Sequence, residues 1–195
     1  MSKRIVIWFF TFLALLLLVT YLWSSYNKMV KREEKVKKAW AEVENQYQRR
    51  ADLIPNLVET AKGYAAHEQS TFEQVIEARS KATQVNLKAD DLTNTEAIRQ
   101  FEQVQGEVTQ GLSRLMAVVE AYPDLKANDN YIMLQGQLEG TENRILLKRS
   151  EFNERVNEYN AYIRRFPKNV VAGIFGFKKI NYFETHKGDD KAPKI

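Results

Sequence analysis

The feature that most constrains this chain is an apolar run near its start, at residues 5–23. The run reads IVIWFFTFLALLLLVTYLW and contains no charged side chain. A helix rises about 1.5 Å per residue, so a run of this length spans about 28 Å, close to the hydrocarbon thickness of a bilayer. Trp8, Tyr21 and Trp23 lie toward its ends, where aromatic side chains favour the membrane–water interface. The run therefore predicts one transmembrane helix.

A cleaved signal peptide is the alternative for the same run. Lys3 and Arg4 precede it, as basic residues precede a signal sequence. The run is longer than the usual signal core, however, and no small-x-small cleavage site follows it. We therefore predict an uncleaved anchor, which makes the lipid bilayer a partner of this chain.

The numbers of basic residues before and after the run indicate on which side of the membrane the rest of the chain lies. Two precede the run, and six follow it within residues 28–38. Because Lys and Arg near a span favour the cytoplasmic side, this bias favours a cytoplasmic location for the C-terminal remainder. The alternative is that the basic run is only a solvated helix face and that the short basic N-terminal tail stays inside, which would put the remainder outside.

The remainder of the chain has the pattern of amphipathic helices. Glycine and proline are scarce, with 8 Gly and 4 Pro, which favours helix over a sandwich or a barrel. Three stretches place apolar residues at three- and four-residue spacing, as helices do when one face packs on a partner. In the third stretch the period is seven, which predicts shallow, coiled-coil-like crossing. Its seven-residue stripe is Tyr131, Leu138, Ile145, Phe152, Tyr159 and Phe166.

These patterns predict an all-α fold, in which the N-terminal transmembrane helix is followed by a long-helix antiparallel up-and-down bundle of three or four helices. The number of bundle helices depends on whether the first stretch forms one helix or two. Pro55 lies within it and cannot donate a hydrogen bond to the carbonyl of Ala51, so a kink or a break is expected there. We expect one long helix bent at Pro55, with a break at residues 63–67 as the alternative. The predicted organisation is a tail at 1–4, the transmembrane helix at 5–24, the bundle at 27–166, an apolar docking segment at 167–183 and a disordered tail at 184–195.

Local signals mark the ends of the later helices. Thr93 followed by Glu96 is a capping box in sequence and opens the second stretch. Pro123 disfavours helix at the residue before it and ends that stretch. Residues 127–130 then supply a turn and an N-cap for the third stretch.

Motifs of catalysis, metal binding and nucleic-acid binding are missing from the sequence. The absence of cysteine excludes disulfides, thiolate metal sites and a Cys nucleophile. His67 and His186 do not form the histidine pair of a metalloprotease, and no phosphate-binding glycine loop or nucleophile elbow occurs. The net charge of +4 is too modest to indicate a nucleic-acid partner. We predict a protein that is not an enzyme and that uses no cofactor.

Polar residues beside the apolar stripes form the candidate site. They lie around Pro55 in the first stretch and along the third stretch. Such groups either fix helix register through a small buried network or form the polar part of a ligand pocket. The candidate residues are Arg49, Arg50, Asp52, Asn143, Arg144, Asn153 and Asn160.

Residues 170–183 form an apolar segment that is too short and too broken by Gly173 and Gly176 to span a membrane. So many large apolar groups need a cover, which can be the chain's own bundle, another subunit or partner, or the membrane interface. We predict a docking surface for a protein partner or a second copy of the chain. Its candidate residues are Ile174, Phe175, Phe177, Tyr182 and Phe183.

Several strings occur in an order that resembles the LemA family. They are RRADLIPNLV at 49–58, AAHE at 65–68, EAR at 77–79, ENRI at 142–145 and FN at 152–153, followed by YN, FP, AG, FGF and YF up to residue 183. The resemblance covers nearly the whole chain and departs at Phe152, where the family pattern often has Tyr. It implies a bacterial cell-membrane protein with an N-terminal anchor and a long-helix bundle, and it implies no catalytic residues.

The function predicted from these observations is that of a single-pass scaffold or interaction protein of the bacterial inner membrane, without catalytic activity. The alternative is a membrane-anchored sensor that binds a small ligand at Arg49, Arg50, Asn143 and Arg144. Pocket geometry separates the two, because a closed, dry core favours the scaffold and a cavity lined by those polar groups favours the sensor.

Overall fold

The computed structural model describes residues 3–183, which form six helices and no strand. Residues 1–2 and the tail predicted at 184–195 lie outside the described residues. A short 3₁₀ turn at Ala89–Thr93 joins the second helix to the third. The helices are α1 (Lys3–Lys62), α2 (Gln69–Gln84), α3 (Thr95–Val119), α4 (Pro123–Lys126), α5 (Asp129–Arg164) and α6 (Lys168–Phe175).

Helix α1 carries both the predicted anchor and the first bundle helix without interruption. It runs for 60 residues, or about 90 Å at the usual rise. Its first part is long and apolar enough to cross a membrane, and the protein buries none of that stretch. Ser25 and Met29 are already buried, directly after the apolar run. The anchor and the bundle therefore share one helix, with no linker between them.

The first apolar stretch contains two helices. Helix α1 continues through Pro55, as predicted, but it ends at Lys62, and turns occupy residues 63–67. A single helix over the whole stretch is therefore wrong, and the alternative break at 63–67 is confirmed. The bundle accordingly has four long helices: α1, α2, α3 and α5.

The carbonyl that Pro55 leaves without its helical partner receives a hydrogen bond from another helix. Pro55 has no N–H to donate to the Ala51 oxygen. Arg79 of α2 donates from Nε to that oxygen at 2.6 Å. Because a buried carbonyl without a donor costs about 1–3 kcal/mol, this bond helps α1 to continue through its proline.

The apolar interior consists of two clusters arranged along α1. The proximal core, nearer the anchor, contains residues 29–47 of α1, the start of α3, the second half of α5 and part of the C-terminal segment. The distal core contains residues 54–61 of α1, together with α2, the rest of α3 and the first half of α5.

Trp40 joins the parts of the proximal core. Its ring lies 5.4 Å from the ring of Phe101 on α3 and 6.0 Å from that of Phe152 on α5, and it stacks on Phe183 at 5.5 Å. Its indole N–H donates to the carbonyl of Leu87 at 3.0 Å. One side chain of α1 therefore contacts two other helices, the α2–α3 connection and the C-terminal segment.

The seven-residue stripe of α5 is buried from Tyr131 to Tyr159, as the pattern predicts. Phe166 does not belong to it, since this side chain is 83 % exposed. The reason is that α5 ends at Arg164, after which the helical phase no longer sets the direction of a side chain.

The helix caps follow the predicted chemistry with one change of residue. Asn128 caps α5 by accepting from the N–H of Tyr131, within the predicted turn. Helix α3 is capped by Asn94, which accepts from the N–H groups of Glu96 and Ala97. The capping box predicted at Thr93 is therefore wrong by one residue, and both Asn and Thr are common at this position.

The contact between Arg79 and Ala51 predicts non-additive mutations. Arg79→Ala removes the donor to the Ala51 carbonyl and should lower the free energy of unfolding by about 1–3 kcal/mol. Pro55→Ala restores an N–H that can donate to the same oxygen, so Arg79→Ala should cost clearly less in that background. Denaturant unfolding of all four proteins in detergent, followed by circular dichroism, measures the coupling. Lys81→Ala, an exposed change on the same helix, is the control, and an equal cost of Arg79→Ala in both backgrounds would contradict the assignment.

Candidate functional site

A layer of polar side chains separates the two apolar cores. Arg50 lies one helical turn after Tyr47 of the proximal core and one turn before Ile54 of the distal core. Gln105 on α3 and Glu142 on α5 lie between members of the same two clusters. Three helices therefore bring polar groups to the same level of the bundle.

Arg50 is the centre of this layer and is only 2 % exposed. Its Nη1 donates to Thr109 Oγ1 at 3.0 Å and to Glu142 Oε1 at 3.1 Å. Its Nη2 donates to the backbone carbonyl of Gln105 at 3.2 Å and also to the side-chain oxygen of Gln105. A buried guanidinium needs such partners because burial removes its hydration. The Arg50 side chain therefore binds α1 to α3 and α5.

A cleft of about 440 Å³ opens beside the polar layer, lined by side chains of α1, α3 and α5. Charged groups of both signs line it: Arg50 pairs with Glu142, and Arg149 pairs with Glu102 at 3.0 Å. Gly106 contributes open space, since no atom lies within 4 Å of where a Cβ would stand. The cleft therefore combines open space with two ion pairs in its walls.

Tyr47 forms part of the cleft wall, and its ring lies 5.1 Å from the guanidinium carbon of Arg50. Burial raises the pKa of the Tyr47 phenol, with Arg149 and Arg50 opposing the shift. The hydroxyl is therefore protonated at neutral pH and can donate a hydrogen bond into the cleft.

Four of the predicted site residues do not join Arg50. Arg49, Asp52, Asn143 and Arg144 are all exposed. Asp52 accepts a hydrogen bond from Gln48 on the same helix, and Asn143 borders a separate surface recess. The pocket predicted from Arg49, Arg50, Asn143 and Arg144 is therefore not formed, because successive helical residues point about 100° apart.

Asn153 and Asn160 lie in a second polar group, against the C-terminal segment. The side chain of Asn160 donates to the carbonyl of Ile180 at 2.8 Å and accepts from its N–H at 3.1 Å. Asn153 makes the same pair of bonds with Phe183, at 3.1 and 2.9 Å. Each amide therefore pairs with the backbone as a neighbouring β-strand would.

Residues 177–183, which we call the strap, run back along α5 under these two asparagines. The Tyr159 hydroxyl donates to the carbonyl of Lys178 at 3.0 Å. Burial raises the pKa of Tyr159 to about 12, so this donor keeps its proton at neutral pH. The N–H of Asn181 donates to the Leu92 carbonyl at 3.0 Å, which ties the strap to the 3₁₀ turn. The strap is therefore an integral wall of the proximal core.

The strap changes the interpretation of the predicted partner interface. Phe183 is only 2 % exposed and packs in the chain's own core, so a partner cannot reach it. Phe177 is half-buried and lies 5.6 Å from the ring of Tyr26. Ile174, Phe175 and Tyr182 stay exposed. The segment thus covers its own bundle with one part and leaves another part uncovered.

Sequence reasoning missed Gln105, Thr109 and the pair of Glu102 with Arg149. Glu102 and Arg149 lie on different helices, so no spacing along the chain marks them as a pair. The available signal was Gln105 itself, because it occupies a position of the apolar stripe of α3.

Metal ligands do not cluster in the part of the chain that the structure describes. No group of three or more His, Asp or Glu side chains within residues 3–183 could hold an ion. The polar layer is built from hydrogen bonds and ion pairs.

The fold and the site define a membrane-associated helical-bundle protein whose cores meet at a layer of charge. The chain belongs to the LemA family, whose sequence model matches residues 39–195. It is also similar to magnetosome protein MamQ of Magnetospirillum gryphiswaldense, at 29 % identity over 91 % of this chain and 71 % of that protein. Protein LemA of Metamycoplasma hominis is 23 % identical over 82 % of this chain and 68 % of its own length. The resemblance seen in the sequence is thereby confirmed.

The polar layer predicts that two Glu→Ala variants, one helical turn apart on α5, differ in stability. Glu142→Ala leaves the buried Arg50 cation with neutral partners only and should cost about 1–3 kcal/mol of unfolding free energy. Glu139→Ala, at an exposed position of the same helix, should be close to neutral. Thermal melts followed by circular dichroism compare the two variants.

A double variant that removes the charges of both Arg50 and Glu142 is a second test of this ion pair. Arg50→Met combined with Glu142→Leu should recover part of the stability that Glu142→Ala loses, because no unpaired buried charge remains. If Glu142→Ala melts like the wild-type protein, the carboxylate does not stabilise Arg50.

Proposed function

We propose that this chain is a single-pass, membrane-anchored scaffold that presents a helical surface to a protein partner or a second copy, without catalysing a reaction. The uninterrupted α1 helix carries this proposal. A helix that crosses the bilayer and then enters the bundle core fixes the height and direction of the bundle above the membrane. That geometry suits a protein that positions others.

The direction of the bundle is part of the proposal. We propose that the bundle faces the cytoplasm at the bacterial inner membrane. Residues 28–38, in the first turns after the span, contain six Lys or Arg residues and only two Glu residues. Basic residues so close to a span favour the cytoplasmic side.

One face of α5 supports a protein partner. Ile132, Met133 and Leu147 are large apolar side chains that are exposed along this helix. Gly136 and Gly140 lie between them, with open space around each. At about 100° per residue all five fall within one third of the helix circumference. Small residues flanked by apolar ones let another helix approach closely.

Site-specific photo-crosslinking in intact cell membranes tests the scaffold proposal. A photoreactive residue at Leu147 should give a discrete adduct, and one at Glu77, exposed on α2, should not. Gly140→Leu adds bulk at a position where a Cβ would meet no atom within 4 Å, so it should abolish the adduct while the circular dichroism spectrum stays unchanged. Mass spectrometry of the adduct distinguishes a second copy from another protein. No adduct at Leu147, or equal adducts at both positions, would overturn the proposal.

The cleft beside Arg50 supports a second candidate, a membrane-anchored sensor of a small ligand. Its paired charges of both signs suit a zwitterion, such as a free amino acid. A ligand of the folded state should raise the melting temperature of the wild-type protein.

A cavity-filling variant separates the two functions. Gly106→Leu occupies the cleft and should remove any such shift, whereas Gly136→Leu, away from the cleft, should preserve it. If no zwitterion in a panel of free amino acids shifts the wild-type melting temperature, the sensor is excluded for that class. The scaffold proposal does not depend on this result.

A further inference from the structure

Helix α6 is apolar on both of its faces. Val171 and Ala172 are buried in the proximal core. On the outer face Val170 is 53 % exposed and Ile174, one turn later, is 69 % exposed. Phe166, just before the helix, also points outward. After Lys168 and Asn169 at its start, α6 has no polar side chain, so its apolar outer face needs a cover.

The position of α6 beside α1 indicates what that cover is. The ring of Phe175 lies 5.0 Å from the ring of Tyr26. Phe175 also borders a recess of about 400 Å³ whose other walls include Val19, Leu22 and Trp23, in the last turns of the apolar run. Tyr26 follows Trp23 by three residues, or about 4.5 Å along the helix axis. If the run crosses a bilayer, Phe175 lies at the depth where acyl chains meet headgroups.

The charge around α6 is complementary to an anionic membrane surface. Residues 164–179 contain five Lys or Arg and no Asp or Glu. Residues 28–38, at the same end of the bundle, contain six basic and two acidic residues. The rest of the bundle, residues 39–163, has the opposite balance, with 13 basic and 20 acidic residues. The positive charge is therefore concentrated at the end that adjoins the bilayer.

Two of these cations make cation–π contacts with one aromatic ring, at the end of the bundle nearest the apolar run. Lys168 Nζ lies 4.1 Å from the centroid of the Tyr162 ring, and the guanidinium carbon of Arg32 lies 4.6 Å from it. These contacts join α1, α5 and α6. Lys178 and Lys179, just after α6, are exposed. Apolar groups at the interface with cations around them are the pattern of a helix that lies on a membrane.

We propose that α6, together with Phe166, lies in the interfacial layer of the same bilayer that α1 crosses, and that the basic residues around it bind anionic lipid headgroups. Val170, Ile174 and Phe175 then contact the parts of the acyl chains nearest the headgroups, while Lys178 and Lys179 reach the phosphates. The bundle is attached to the membrane at two places, so it cannot pivot freely on α1. This contact is independent of which protein the scaffold binds.

Depth-dependent fluorescence quenching tests the proposal on the full-length chain. The protein has no cysteine, so Ile174→Cys can carry a single environment-sensitive label. Ser113→Cys, exposed on α3 and away from the proximal core, is the matched control. Both proteins are reconstituted into phosphatidylcholine vesicles with and without phosphatidylglycerol. The label at position 174 should emit at shorter wavelength and lose intensity with lipids that carry a nitroxide near the headgroup, and the label at 113 should do neither.

Charge variants and assembly size determine whether lipid or protein covers α6. The combined change Lys178→Gln and Lys179→Gln should reduce the extra quenching that phosphatidylglycerol produces, while the circular dichroism spectrum stays the same. A label at 174 that is shielded from water but is not quenched by nitroxide lipid, in a larger assembly by crosslinking, would show a protein cover and overturn the proposal. A label at 174 that behaves as in water would overturn it as well.

Discussion

Everything in this structure depends on one constraint, the continuity of α1 from the apolar run to the end of the bundle. A helix can cross a hydrocarbon layer because it satisfies its own backbone hydrogen bonds, and the same property lets it continue into a packed core. Since burial begins at Ser25, directly after the apolar run, the position of the bundle relative to that run is fixed by one continuous helix. The one weak point is Pro55, and Arg79 of α2 supplies the donor that the backbone lacks there.

Two apolar cores and a charge layer are arranged along that helix. In the proximal core, α6 and the strap complete the wall beside α1 and α5. Trp40 of α1 contacts Phe152 of α5 and Phe183 of the strap, together with Phe101 of α3 and the carbonyl of Leu87. Between the cores, Arg50 faces groups on α3 and α5 that only one register brings together. Buried polar groups are known to specify helix register in bundles, and this layer has the geometry for that role.

The sequence predicted the fold more completely than the site, and particular residues show why. The seven-residue recurrence on α5 identified its buried face, because helical periodicity is a local property. The same recurrence failed at Phe166, where the helix has already ended. Arg50 was included in the predicted site together with Arg49, although these neighbours point to different sides of α1. Asn153 and Asn160 were placed in a common polar set, but their partners are backbone atoms of the strap. No local pattern identifies such partners.

By itself the sequence determined that this chain is helical, that its first helix can enter a membrane, and that it resembles the LemA family. These properties depend on composition and on short periods, which a chain carries whatever its tertiary contacts. Only the tertiary structure decided that the bundle has four long helices, that Arg50 meets Glu142, and that Phe183 is buried while Ile174 is exposed. The physical reason is distance along the chain: Arg50 and Glu142 are 92 residues apart, and Asn153 and Phe183 are 30 apart. Contacts of that kind form only when whole helices pack.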